Sequence, residues 1–243
     1  MPSGESPVAL VTGAAGGIGA AVCARLAASG WRIGLHYSSN ASGAKALAAR
    51  LGEGNSAPLK ADLSKPGAAK PLIAACLKAF GRLDLLVNNA GAVLGQSDFM
   101  DMTEADWDKT LRLNATAPFF LTQAAFRAMK SGGRVVNVSS IAVKFGGSAR
   151  SMHYAAAKAA VETMTVSFAK QGAPKNILVN CVRAGVIDTP FHGKFSKDMK
   201  RRVAVIPLKR MGKADDVASL IAHLAGPGGD FITGQVISVT GGE

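Results

Sequence analysis

Tyr154 and Lys158 stand four residues apart in an alanine-rich run from Met152 to Ala160. Alanine is the best helix former, so the run is expected to be helical. Residues at i and i+4 share a helix face, so phenol and ammonium point the same way. A free phenol, with a pKa of about 10, handles protons poorly at neutral pH. A close ammonium stabilises the phenolate and lowers that value; a fall from about 10 to about 7 corresponds to about 4 kcal/mol. The pair therefore predicts a general acid or base at Tyr154, tuned by Lys158. The same spacing also arises by chance on many helices, so the elements around it must decide.

Those elements alternate in type. Apolar strands are expected at Val8 to Val11, Arg32 to Tyr37, Ala57 to Ala61, Leu83 to Val87, Arg134 to Val138, Ile177 to Val182 and Val236 to Val239. Helical patterns lie between them: Ile18 to Ser29, Ser42 to Leu51, Lys65 to Phe80, Ser151 to Lys170, Asp215 to Ala225, and a long stretch from Thr103 to Met129 interrupted near Pro118. Continuous apolar strands alternating with helices predict an α/β fold: a doubly wound, mostly parallel, seven-stranded Rossmann-type sheet with helices on both faces. No linker or repeat divides the 243 residues, which suits one domain over 1–243. The basic segment from Phe191 to Arg210 breaks the rhythm and reads as a lid or binding loop, spanning about 190–211.

Thr12 to Gly19 joins the first strand to the first helix, with glycines at Gly13, Gly17 and Gly19 in a G-x-x-x-G-x-G spacing. Such a turn presents backbone N–H groups and a helix N-terminus to a phosphate, and at the first βα turn of a doubly wound sheet it suggests a dinucleotide. With it come Asn88-Asn89-Ala90-Gly91, Asn114, Ser139-Ser140, Tyr154-x-x-x-Lys158, Arg183 to Thr189, and Ile232-Thr233-Gly234-Gln235 followed by Gly241-Gly242. In this order the chain resembles the compact short-chain dehydrogenase/reductases over nearly its whole length.

The resemblance implies roles. Tyr154 would move the proton on the substrate oxygen, and Lys158 would lower its pKa and bind the nicotinamide ribose. Ser140, rather than its neighbour Ser139, would hold the carbonyl oxygen, and Asn114 would anchor a water linking Lys158 to solvent. Gly13, Ala15, Gly16, Gly17, Ile18 and Gly19 would surround the phosphates. Asn89, Ala90 and Gly91 would lie by the adenosine ribose. Asp62 and Leu63 would lie by the adenine, although Asp62 also suits a helix N-cap. Gly185, Ile187 and Thr189 would hold the nicotinamide end; Ala184 replaces the family's usual proline.

Family members that prefer NAD carry an acid at the end of the second strand. Here that end reads Tyr37-Ser38-Ser39-Asn40, with no acid. Ser38 and Ser39 are therefore expected to face the 2′-phosphate of NADP, with NAD tolerated. The implied reaction interconverts a carbonyl and a secondary alcohol. The subgroup most resembled is the 3-oxoacyl-(acyl-carrier-protein) reductases, so the small-molecule substrate could be a thioester. Sugar, polyol or other alcohol dehydrogenation is the alternative, and a non-catalytic dinucleotide sensor a further one. Enoyl reductases of the family space tyrosine and lysine more widely. A homotetramer or dimer is implied as well.

The net charge is +12, and Lys130 to Lys213 holds sixteen Lys/Arg against three acids. No nucleic-acid-binding motif accompanies that charge, so it reads as a solvated basic face without a nucleic-acid partner. Cys23, Cys76 and Cys181 are scattered, as are the four histidines, which argues against disulfides and metal and for buried thiols in a reducing, cytoplasmic setting. The uncharged run from Val8 to Ala24 is broken by glycines and is not read as a membrane span.

Overall fold

The computed structural model describes residues 6–95, 97–190 and 199–243. Seven strands form one sheet, every pairing parallel: β1 (Val8–Val11), β2 (Arg32–Tyr37), β3 (Ser56–Lys60), β4 (Leu85–Asn88), β5 (Arg134–Ser140), β6 (Leu178–Ala184) and β9 (Val236–Val239). Their order is β3-β2-β1-β4-β5-β6-β9, so the winding reverses between β1 and β4. A crevice at the carboxyl ends of the strands opens at that reversal. A separate ladder pairs β7 (Ile187–Asp188) with β8 (Gly212–Lys213).

Strand alternation divides the core. Ala9 and Val11 face α1 (Gly17–Ala28), α2 (Ala41–Leu51) and α9 (Ala214–Ala225), meeting Val22, Leu26, Leu47 and Leu224. Val8 and Leu10 face the opposite layer of α3 (Ala69–Phe80), α5 (Ala117–Ala128) and α7 (Met152–Gly172), meeting Leu72, Leu121 and Ala169. The inner strands β1, β4, β5 and β6 bury both faces, which explains their apolar runs, while the edge strands β3 and β9 are only partly covered.

Two expected elements differ. Helix α3 begins at Ala69, not Lys65. Asp62 Oδ1 instead accepts from the N–H and hydroxyl of Ser64, and Lys65 N–H donates to the Asp62 carbonyl, closing a turn before the helix. The long helix is α4 (Glu104–Leu111), a π turn at Arg112–Thr116, and α5. Pro118 would clash with the carbonyl four residues earlier, that of Asn114. The Asn114 side chain also occupies the Thr110 carbonyl at 2.8 Å, and Ala117 N–H reaches back to Arg112. The break thus lies just upstream of the proline and places Asn114 at its centre. The short helices α6 (Ala142–Phe145) and α8 (Met199–Ala204) flank the crevice; the first part of the expected lid, 191–198, lies outside the described residues.

Candidate active site

The crevice is a cavity of about 1430 Å³. At one end the glycine turn leads into α1, whose N-terminus has no side-chain cap at Gly16 and no acid in its first turn. Its free N–H groups suit an anion. A Cβ on Gly16 would meet open space, so this backbone faces the cavity directly. Gly13, Ala15, Gly17 and Ile18 line the same end. Gly19 does not: a Cβ there would stand 2.2 Å from the Gly13 carbonyl, so glycine lets α1 pack onto the turn. Thr12 ties the turn to β4, its hydroxyl accepting from Asn89 N–H and Ala90 N–H at 2.9 Å each.

Ser38 and Ser39 line the adjoining wall, with Tyr37 and Asn40. Asn40 was not among the expected contacts, yet it anchors this corner. Its Oδ1 caps α2 through Gly43 N–H at 3.0 Å, and its Nδ2 donates to the Ala15 carbonyl at 3.0 Å. Asp62 and Leu63 do not line the cavity: Leu63 is core, and Asp62 serves its own turn, where Ser64 holds its carboxyl below the usual range. The helix N-cap alternative is not met either, since Ala68 precedes α3.

At the other end Ser140, Tyr154 and Lys158 meet Asn89, Ala90, Gly91, Gly185, Ile187 and Thr189 around the cavity. A Cβ on Gly17 would lie 3.4 Å from the Thr189 side chain, so the two ends face each other closely across the crevice. Tyr154 hydrogen-bonds Ser140. Ser139, the competitor, instead donates to Glu162 Oε1 at 2.7 Å. Lys158 Nζ donates to the Val138 carbonyl at 2.8 Å and stands 5.7 Å from the Tyr154 ring centroid. Asn114 is wholly buried, off the cavity, with Nδ2 committed to the carbonyls of Ala92 and Thr110 and Oδ1 accepting from Ala92 N–H. It meets Lys158 across Gly91, where a Cβ would lie 2.7 Å from Asn114 Oδ1 and 3.2 Å from Lys158 Nζ.

Burial dominates the electrostatics of the pair. Burial pushes the Tyr154 phenol up to about 12, opposed only by the hydrogen bond with Ser140, while burial pushes Lys158 down to about 8. Desolvation is the larger cause, so Tyr154 is a neutral phenol at physiological pH.

A protein-family model described as Enoyl-(Acyl carrier protein) reductase matches residues 13–243. The hydroxynaphthalene reductase-like protein Arp2 of Metarhizium robertsii is 34% identical over 252 residues, covering 97% of this chain and 94% of its own. A short chain dehydrogenase from Burkholderia cenocepacia in complex with NADP is 36% identical with a TM-score of 0.90, over 97% of each chain. The chain belongs to the short-chain dehydrogenase/reductase family. A blue fluorescent protein from a metagenomic library, in complex with NADPH, aligns with a TM-score of 0.93 at 35% identity over 98% of each chain.

In this short-chain dehydrogenase/reductase, one group of residues escaped the sequence reading. Arg183 grips Glu162 through two hydrogen bonds of 2.9 and 2.7 Å, and Glu162 also takes the Ser139 hydroxyl. The ion pair joins the strand carrying Ser140, the helix carrying Tyr154 and Lys158, and the strand leading to Gly185. The signal in the sequence was Glu162 one turn beyond Lys158. On the cavity's outer side, Arg202 of α8 forms a twofold pair with Glu243 at 2.5 and 2.8 Å. Among the described residues no cluster suits a metal ion, and no helix is long and apolar enough to cross a membrane.

Proposed function

We propose that the chain is an NADP(H)-dependent carbonyl reductase built as one catalytic domain. The observation that carries this reading is the Ser140–Tyr154 hydroxyl pair, set at the far end of a cavity that begins at an uncapped helix N-terminus. The turn before α1 would hold the pyrophosphate, Ser38 and Ser39 the 2′-phosphate, and Gly185, Ile187 and Thr189 the nicotinamide end. When bound, the nicotinamide supplies a hydride. Ser140 and Tyr154 hold the substrate oxygen, and Tyr154 gives it a proton as its carbon accepts the hydride. A neutral phenol is the form this direction needs, which supports reduction. Lys158 restores the charge balance as Tyr154 loses its proton, and Asn114 supports Lys158 through a water on its remaining acceptor sites.

Two hydroxyls converging on one oxygen suit a ketone, of the 3-oxoacyl kind or another, better than a carbon–carbon double bond. A panel of acetoacetyl thioesters, aromatic hydroxyketones, sugars and enoyl thioesters, followed by NADPH absorbance, tests this. Turnover of a ketone is expected; consumption of enoyl thioesters alone would overturn the reading. The expected homo-oligomer is supported by exposed Phe119, Phe120 and Val166 on α5 and α7.

The cofactor preference has its own test. Ser38→Asp places a carboxylate beside the 2′-phosphate, and like charges at that range cost about 2 kcal/mol or more, about thirtyfold in affinity. Fluorescence titration is expected to show NADPH weakened by that factor and NADH little changed. Equal affinity for both in the parent chain would remove the preference.

A further inference from the structure

His36 lies on β2 directly behind the glycine turn and is 2% exposed. Both of its ring nitrogens are engaged. Nδ1 accepts the Gly13 N–H at 3.1 Å, which requires it to be unprotonated, and Nε2 therefore carries the hydrogen that reaches the Ala61 carbonyl at 3.1 Å. The His36 carbonyl accepts from Ala14 N–H at 2.9 Å as well. One residue thus fixes two successive residues of the turn and ties them to the segment after β3.

We propose that neutral His36 is a positioning residue of the cofactor turn, and that its protonation loosens the turn and weakens dinucleotide binding. The inference rests on the dinucleotide reading above. A protonated Nδ1 would set a second donor against Gly13 N–H and strand both. Gly13 carries φ +66°, which glycine reaches without strain but also leaves without cost, so the bond to His36 selects one of several open conformations.

Burial holds the His36 pKa below its ordinary value, opposed by the bond to Ala61. Neighbouring charges do not offset this. β1 carries no titratable group. Lys60 of β3, with Asp62 and Lys65 beyond it, is exposed, and Asp62 is bound to Ser64. On α3, Lys70 and Lys78 are exposed, and the thiol of Cys76, on the same side of the sheet, is pushed up to about 12 and stays neutral. With a folded-state pKa below the unfolded value near 6.5, the stability His36 contributes is present above pH 6.5 and is lost as pH falls through the folded pKa.

The experiment measures NADPH and NADH affinity by fluorescence titration from pH 8 down to the onset of acid unfolding, read from thermal unfolding alongside, for the parent chain, His36→Asn and His36→Leu. NADH lacks the 2′-phosphate, which itself titrates near pH 6. For the parent, NADH affinity is expected to fall, by up to about tenfold, as pH drops through the depressed His36 pKa. His36→Asn keeps an acceptor for Gly13 N–H without titrating, so its NADH affinity should hold steady across that range. His36→Leu removes the acceptor and should bind about tenfold more weakly at every pH. A flat NADH profile in the parent overturns the proposal without reference to any variant, as does parental affinity in a folded His36→Leu. Absence of any dinucleotide binding by the parent at pH 7.5 overturns the cofactor reading, and this proposal with it.

Discussion

Tyr154→Phe is expected to bind NADPH within about twofold of the parent and to lower kcat for ketone reduction by about 10²–10⁴-fold, the usual worth of a positioned general acid. The substitution keeps the buried ring and removes only the hydroxyl that hydrogen-bonds Ser140. Because Tyr154 is held protonated to about pH 12, its own ionisation should leave no inflection between pH 6 and 9. Single-turnover rates with saturating NADPH separate this from a binding defect. Parental rates in the phenylalanine variant would move the proton donor elsewhere.

Lys158→Met carries the second large effect, and it acts in two directions. Turnover should fall by a comparable factor, since no cation then offsets the charge that Tyr154 develops. Stability should rise. Holding the buried ammonium at about 8 instead of 10.5 costs the folded chain about 3 kcal/mol at neutral pH. Methionine removes that cost but leaves the Val138 carbonyl without its donor, which returns about 1–3 kcal/mol. A net gain of about 1 kcal/mol raises Tm by about 2–4 °C in a chain of this size. The sign can be checked by pH. A depressed lysine costs stability fully below pH 8, and the cost fades as pH rises toward 10.5, so the Tm gap between variant and parent should close over that window. In the parent, reduction should slow above about pH 8 as the ammonium is lost. A large fall in Tm at pH 7 would mean that the ammonium stabilises the fold.

What the sequence revealed of this site was local. The Tyr154–Lys158 face follows from helical periodicity alone, and the uncapped turn follows from a strand, a glycine cluster and a helix in succession. Asn114 was found, but its π turn was not, because the competing hydrogen bond to Thr110 comes from the asparagine side chain itself. The turn at Asp62 is not legible in its motif, because it is closed by Ser64, two residues away, on the same carboxylate oxygen. The upward shift of Tyr154 by burial is illegible in the spacing for a different reason. Spacing specifies which groups are near, whereas desolvation depends on everything packed around them, and here it prevails. His36 was counted among scattered histidines because its partners, Gly13 and Ala61, are backbone groups from distant turns.

The Glu162–Arg183 pair bears on how this chain could be recombined with its relatives. Glu162 is 11% exposed at its side chain, so an exchange that brings in a helix lacking the acid would leave the Arg183 guanidinium without its counter-ion. Helix α7 and strand β6 should therefore be transplanted together. Most of residues 142–151 line the cavity near Ser140 and Tyr154, and they include neither partner of that pair. Under the proposed function they form a cassette for separate exchange, expected to alter substrate choice while Tyr154 and Lys158 stay in place.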